Sequence, residues 1–242
     1  MAPILALETI SKRFGAVVVA DRIDLALGQG EALGIIGPNG AGKTSLFGIA
    51  TGTLPLDAGR VLLAGEDITR LPVEQRCRKG LARAFQIPQP FSGMTVFENV
   101  VVAAAFGADE RERAVYERCT ELLERCGLAS KANKRAGGLT LLDRKRLELA
   151  RALATNPRVL LLDEVAGGLT EHECTSLITL IKDVRARGVS IIWIEHVVHA
   201  LLAIVDRLLV LHAGKFIAEG DPRTVIKSPQ VAEIYLGINA DV

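Results

Sequence analysis

The sequence predicts an α/β chain: a mostly parallel, doubly wound sheet with an antiparallel N-terminal β-region and an inserted all-helical region. Three observations predict it. A glycine-rich loop at residues 37–44 joins a short apolar stretch (residues 31–36) to a stretch that can continue as a helix (residues 45–51). Further on, buried-strand patterns at residues 158–162 and 189–194 alternate with a helical pattern that opens at Thr170. Such alternation marks strands that pair in parallel through helical crossovers. Between these parts, residues 87–154 carry helix signals and no strand pattern.

Taken in order, residues 4–9 alternate as a strand, residues 12–15 read as a turn, and residues 16–20 and 23–27 read as further short strands. They precede the glycine loop and form the expected antiparallel region. Gly52 ends the helix after the loop, residues 60–64 read as a strand, and Pro72 opens a short helix. Residues 81–86 are strand-like and end at Gln86, where Ile87-Pro-Gln-Pro90 breaks the pattern. Thr95 and Glu98 form a capping-box pair that opens a helix. Val115, Cys119, Leu122, Leu123 and Cys126 recur on one helical face, and residues 141–153 make a third helix. The expected organisation is a core of residues 1–86 and 155–242, with a helical subdomain of residues 87–154. Thr170 and Glu173 form a second capping box, and Gly188 ends that helix. Two late strands and a helical tail follow.

Composition narrows the function. The chain has 242 residues, 49% of them hydrophobic, enough for a sizeable core. Its net charge is +1, from 29 basic and 28 acidic residues, which leaves no electrostatic footprint for nucleic acid. Aromatic residues make up 4%, too few for a base-stacking platform. The four cysteines form no Cys-x-x-Cys pair and read as reduced thiols of a cytoplasmic protein, with Cys119 and Cys126 on one helix face packing in the core. No secretory signal is expected, and the longest apolar run, residues 100–107, is too short to span a bilayer. Any membrane role is therefore expected to be peripheral.

The glycine loop carries the chemistry. Gly37, Pro38, Asn39, Gly40, Ala41, Gly42, Lys43 and Thr44 fit the pattern of Gly, four residues, Gly-Lys-Ser/Thr. Gly37, Gly40 and Gly42 lack a Cβ and let the backbone approach an anion. The amides through Thr44 and Ser45, with the positive end of the helix dipole, then face phosphates. Lys43 is placed to reach the β- and γ-phosphates of a nucleotide, and Thr44 offers a hydroxyl to Mg²⁺. A chance lysine in a turn would not need these flanks. Asp163 and Glu164 follow a buried strand, so both emerge at the ligand-binding edge of a parallel sheet. There one carboxylate can hold a metal while the other acts as a base. By spacing alone, Phe14 is a core or turn aromatic, and His199 and His212 are structural.

The order of phosphate loop, Gln86, Asp163-Glu164 and His196 resembles an ABC transporter ATPase subunit over essentially the whole chain. Several stretches resemble the ATPases of branched-chain amino acid importers: Phe85-Gln86, Met94-Thr-Val-Phe-Glu-Asn99, Asp163-Glu-Val-Ala-Gly-Gly-Leu169 and Trp193-Ile-Glu-His196. The resemblance implies a P-loop NTPase fold, ATP with Mg²⁺, and hydrolysis by in-line attack of water. It implies that Phe14 stacks on adenine, that Gln86 senses Mg²⁺ and γ-phosphate, and that Asp163 holds Mg²⁺ through water. Glu164 would polarise the attacking water and His196 would contact the γ-phosphate. It also implies integral membrane permease subunits, a second ATPase subunit, an indirect solute-binding protein, and a place at the cytoplasmic face of the cell membrane.

One stretch departs from the family pattern. Where Leu-Ser-Gly-Gly-Gln is usual, this chain has Leu139-Thr-Leu-Leu-Asp143. Thr140 keeps a hydroxyl for a partner's γ-phosphate, two leucines replace glycines, and Asp143 brings a negative charge toward that anion. The expectation is an asymmetric pair with a different ATPase subunit; a homodimer is the alternative. Two other readings stay open at this point: a soluble ABC ATPase acting on ribosomes or DNA, and an importer ATPase for an amide, urea or aromatic acid.

Overall fold

The structure is a computed structural model that describes residues 2–108 and 112–236. Strands β1 (Leu5–Phe14) and β2 (Val17–Leu27) pair as a long antiparallel hairpin. The turn expected at residues 12–15 is shorter, because Lys12, Arg13 and Phe14 still pair with Ala20, Val18 and Val17. The two short strands expected after it are one. Register shifts absorb the break in alternation, with Thr9 and Arg22 at φ 49° and 51°. Asp24 and Ser11 satisfy those irregular points: their side-chain oxygens accept from Thr9 N at 2.7 Å and Arg22 N at 3.1 Å.

Next come β3 (Ala32–Ile36), α1 (Lys43–Thr51), β4 (Ala58–Leu63), β5 (Glu66–Asp67), α2 (Val73–Arg78) and β6 (Leu81–Ala84). Between β6 and the next strand lie α3 (Val96–Gly107), α4 (Glu112–Arg125) and α5 (Leu141–Ala154). The capping boxes expected at Thr95/Glu98 and Thr170/Glu173 both form. The chain then runs through β7 (Val159–Asp163), α6 (Glu171–Ala186), β8 (Ser190–Ile194) and α7 (Val198–Leu202). It closes with β9 (Arg207–His212), β10 (Lys215–Gly220), α8 (Pro222–Ile226) and α9 (Pro229–Leu236).

Two sheets result. The antiparallel one has the order β2-β1-β4-β5 and the larger one β10-β9-β3-β8-β7-β6. In the larger sheet β9, β3, β8, β7 and β6 are parallel, and β10 joins the edge antiparallel. Its strands read as continuous apolar runs because both faces are covered. Ala82, Ala84, Leu160, Leu162, Ile191 and Trp193 pack in the cluster formed with the inserted helices and α6. Leu33, Ile35, Leu161, Ile192 and Ile194 alternate with them and pack in the cluster formed with α1 and the antiparallel sheet. The parallel register brings the residues that follow β3, β6, β7 and β8 to one sheet edge. Among the described residues, no helix is long and apolar enough to cross a membrane.

Candidate active site

The glycine loop leaves β3 at Gly37 and enters α1 at Lys43. Glycine is required here by the protein's own backbone. A Cβ on Gly37 would run into the Leu211 carbonyl of β9, and one on Gly42 into the Val19 carbonyl of β2. Gly42 also sits at φ 105° as the N-cap of α1, without a side-chain cap. Gly40, at φ 81°, faces open space. Only part of the expected glycine role therefore concerns the anion; the rest is the close fit of the loop onto β2 and β9.

Lys43 is 5% exposed and folds over the loop, donating to the carbonyls of Gly37 at 2.7 Å and Pro38 at 3.0 Å. Burial pulls its pKa below the usual lysine range, and the carboxylates of Glu164 and Asp163 push back. Thr44 is exposed at the first turn, Ser45 is half-buried, and Asn39 stands exposed at the loop tip. The amides at this helix start therefore have no side-chain acceptor.

Asp163 is the last residue of β7 rather than the first beyond it. One of its oxygens pairs with the Arg83 guanidinium, and the other, Oδ1, is buried without a hydrogen-bond partner. Arg83 lies over the Phe47 and Phe85 rings. Glu164 adopts φ 47°, in the left-handed region, and its N–H donates to the Ile194 carbonyl of β8 at 2.8 Å. Its carboxylate is held from two sides. Gln86 Nε2 donates to one oxygen at 2.5 Å, and His196 Nε2 lies 2.7 Å from the other. Glu195, 1% exposed, accepts from Ala166 N at 2.7 Å and His196 N at 2.9 Å, tying the loop after Glu164 to the loop after β8.

Lys43, Asp163, Glu164, Gln86 and His196 are thus brought to one edge. Phe14 and Thr140 stand outside this hydrogen-bonded cluster. Phe14 ends β1 and is 50% exposed, with Lys12 Nζ 5.5 Å from its ring centre. Thr140 caps α5, and its hydroxyl accepts from Asp143 N at 3.3 Å. The charge expected to face a partner's nucleotide at Asp143 is turned inward. Asp143 is 3% exposed and bonded to Lys131 Nζ at 2.5 Å and the Thr140 hydroxyl at 2.9 Å. Burial pushes its carboxyl up, but those bonds outweigh it and hold it below the usual range. Arg83 and Glu195 are site residues beyond those predicted. Each is a lone charge at a buried strand, the signal that could have found it.

Among the described residues, no group of three or more His, Cys, Asp and Glu side chains could hold a metal by itself. The donor set present, the unpartnered Asp163 Oδ1 with the Thr44 hydroxyl, fits a hard cation that brings phosphate oxygens as its other ligands.

A loop of backbone amides, a lysine and two strand-end carboxylates on a doubly wound sheet define a nucleoside triphosphate hydrolase. The chain matches the ABC transporter family model over residues 20–167. It is 35% identical to the high-affinity branched-chain amino acid transport ATP-binding protein BraF of Pseudomonas aeruginosa, covering 97% of this chain and 98% of that one. It is also 35% identical to the lipopolysaccharide export system ATP-binding protein LptB of Acidithiobacillus ferridurans, covering 98% of each. Among solved structures, the ADP conformation of MJ1267, an ATP-binding cassette of an ABC transporter, superposes with a TM-score of 0.90 at 32% identity, over 98% of this chain and 100% of that one. The chain belongs to the ABC transporter family, and it is an ATPase cassette of that family.

Proposed function

We propose that this ATPase powers uptake of branched-chain amino acids or related small solutes, docked on membrane permease subunits at the cytoplasmic face of the membrane. The observation that carries the ATPase reading is the meeting of Lys43, Asp163, Glu164, Gln86 and His196 at one sheet edge. The importer reading is supported by BraF of Pseudomonas aeruginosa and LivG of Escherichia coli, each 35% identical over 97% of this chain. LptB at the same identity favours a second reading, in which the permease exports lipopolysaccharide.

In the proposed mechanism the loop amides and the Lys43 ammonium bind and orient the triphosphate. Phe14 offers its exposed ring to the adenine. Glu164, held by Gln86 and His196, takes the proton of a water aligned with the γ-phosphoryl group. Asp163, Thr44 and Gln86 are the residues that would hold Mg²⁺. When bound, that ion neutralises charge on the transferring phosphoryl group. Thr140 would face the nucleotide of a second ATPase subunit. Leu141 and Leu142, where glycines are usual, support a different partner chain with a standard signature.

A docking face supports the membrane partner. Val73, Phe85, Ile87, Phe91 and Phe106 are exposed, and Val73, Phe85 and Ala103 line a groove of about 220 Å³ beside the insertion. Exposed apolar groups that line a groove, as Val73 and Phe85 do, mark an interaction surface. The test is to tag the chain, solubilise native membranes gently and identify what co-purifies. Permease subunits and a second ATPase are expected. Recovery of a lipopolysaccharide exporter would favour the second reading, and ribosomes or DNA-repair proteins without membrane subunits would overturn transport.

A further inference from the structure

Helix α5 grips the loop after β6 with three charged side chains spaced three residues apart. Glu148 accepts from Phe85 N at 3.4 Å, and Arg151 donates to the Gln89 carbonyl at 2.9 Å and to Glu148 at 3.0 Å. Lys145 completes the row, but it reaches further. Its Nζ lies 3.3 Å from the Gln86 carbonyl and 3.4 Å from the Glu164 carbonyl. It is 4% exposed, and no carboxylate forms an ion pair with it among the described residues. A buried ammonium is costly unless its donors are engaged. Here they engage the main chain of the two residues whose side chains meet in the site, Gln86 and Glu164. Burial lowers its pKa, and the carboxylates of Glu195 and Glu164 push back.

We propose that Lys145 is a positioning residue for hydrolysis: bridging the Gln86 and Glu164 carbonyls, it fixes the two loops so that the Gln86 amide and the Glu164 carboxylate meet. This rests on the reading of Glu164 as the base. Glu148 and Arg151 keep the first loop docked without Lys145, so its loss releases the Glu164 side selectively. A displacement of the base costs rate far more than it costs ground-state binding.

The test compares Lys145→Met, Lys145→Arg, Arg151→Met and Glu164→Gln, purified with whatever partners a tag retains. Hydrolysis rate, ATP affinity and melting temperature are measured for each. Lys145→Met is expected to lower kcat by roughly tenfold to a hundredfold, with ATP affinity and melting temperature near those of the parent. Lys145→Arg should recover part of that rate, and Arg151→Met should lose less. In the Glu164→Gln background, Lys145→Met should have little further effect, since it acts through Glu164. An unchanged kcat in Lys145→Met beside an inactive Glu164→Gln would overturn the role of Lys145 alone. Loss of rate, affinity and melting temperature together would also overturn it, as the mark of a purely structural lysine. A Glu164→Gln variant that hydrolyses at the parent rate would overturn the reading of Glu164, and this role with it.

Discussion

The N-terminus of α1 is left open, whereas that of α5 is closed by its own side chains. At α1 the N-cap is Gly42, no side chain accepts from the first amides, and the first turn carries no acidic residue. At α5 Thr140 accepts from Asp143 N, and the Asp143 carboxylate accepts from the Thr140 hydroxyl and from Lys131. Each helix start has amides without intrahelical acceptors. The second satisfies one of them, Asp143 N, internally and balances its acid with a lysine. The first leaves them to an external anion and adds Lys43. The difference teaches that withholding the ordinary cap leaves this chain's own phosphate loop with free amides, to which the glycine loop and Lys43 add the rest of the site.

Gly42→Ala should break the comparison most sharply. The new Cβ meets the Val19 carbonyl, and φ 105° is strained for any L side chain. Strain of about 1–3 kcal/mol corresponds to a roughly five- to 150-fold loss of ATP affinity if the loop must shift. Titration with a fluorescent ATP analogue measures it. A pH series sharpens the contrast. Burial lowers the Lys43 pKa, so the charge facing the phosphates is lost as pH rises, below the range of an ordinary lysine. ATP affinity should therefore fall on the alkaline side, approaching about one log unit per pH unit, and Lys43→Arg should remove that slope. The smallest effect is expected at the closed end. Thr140→Ala loses a cap worth about 1 kcal/mol of stability, seen in urea unfolding. The affinity of this chain's own loop for ATP should stay unchanged.

The phosphate loop and the strand-end acids were legible in the sequence because each combines a motif with its flanks. Gly37–Thr44 sits between an apolar strand and a helix, and Asp163-Glu164 follows a wholly apolar run. Both capping boxes were legible because they are local. Residues 12–27 were not, because a bulged strand loses its alternation, and only the pairing across the hairpin shows that β1 and β2 are continuous. Lys145 was hidden for another reason. It stands in the basic run Arg144-Lys-Arg146, which reads as a solvated helix face until the loops of Gln86 and Glu164 close over it. The inward turn of Asp143 was hidden likewise, since Lys131 lies twelve residues away in sequence.

The most direct test of the account is single-turnover ATP hydrolysis by the chain and by Glu164→Gln, with ATP affinity measured in parallel. The account predicts that Glu164→Gln binds ATP as tightly as the parent and hydrolyses it about a hundredfold more slowly, or slower still. Hydrolysis at the parent rate would contradict it, because the carboxylate that Gln86 and His196 hold between them would then not be the base.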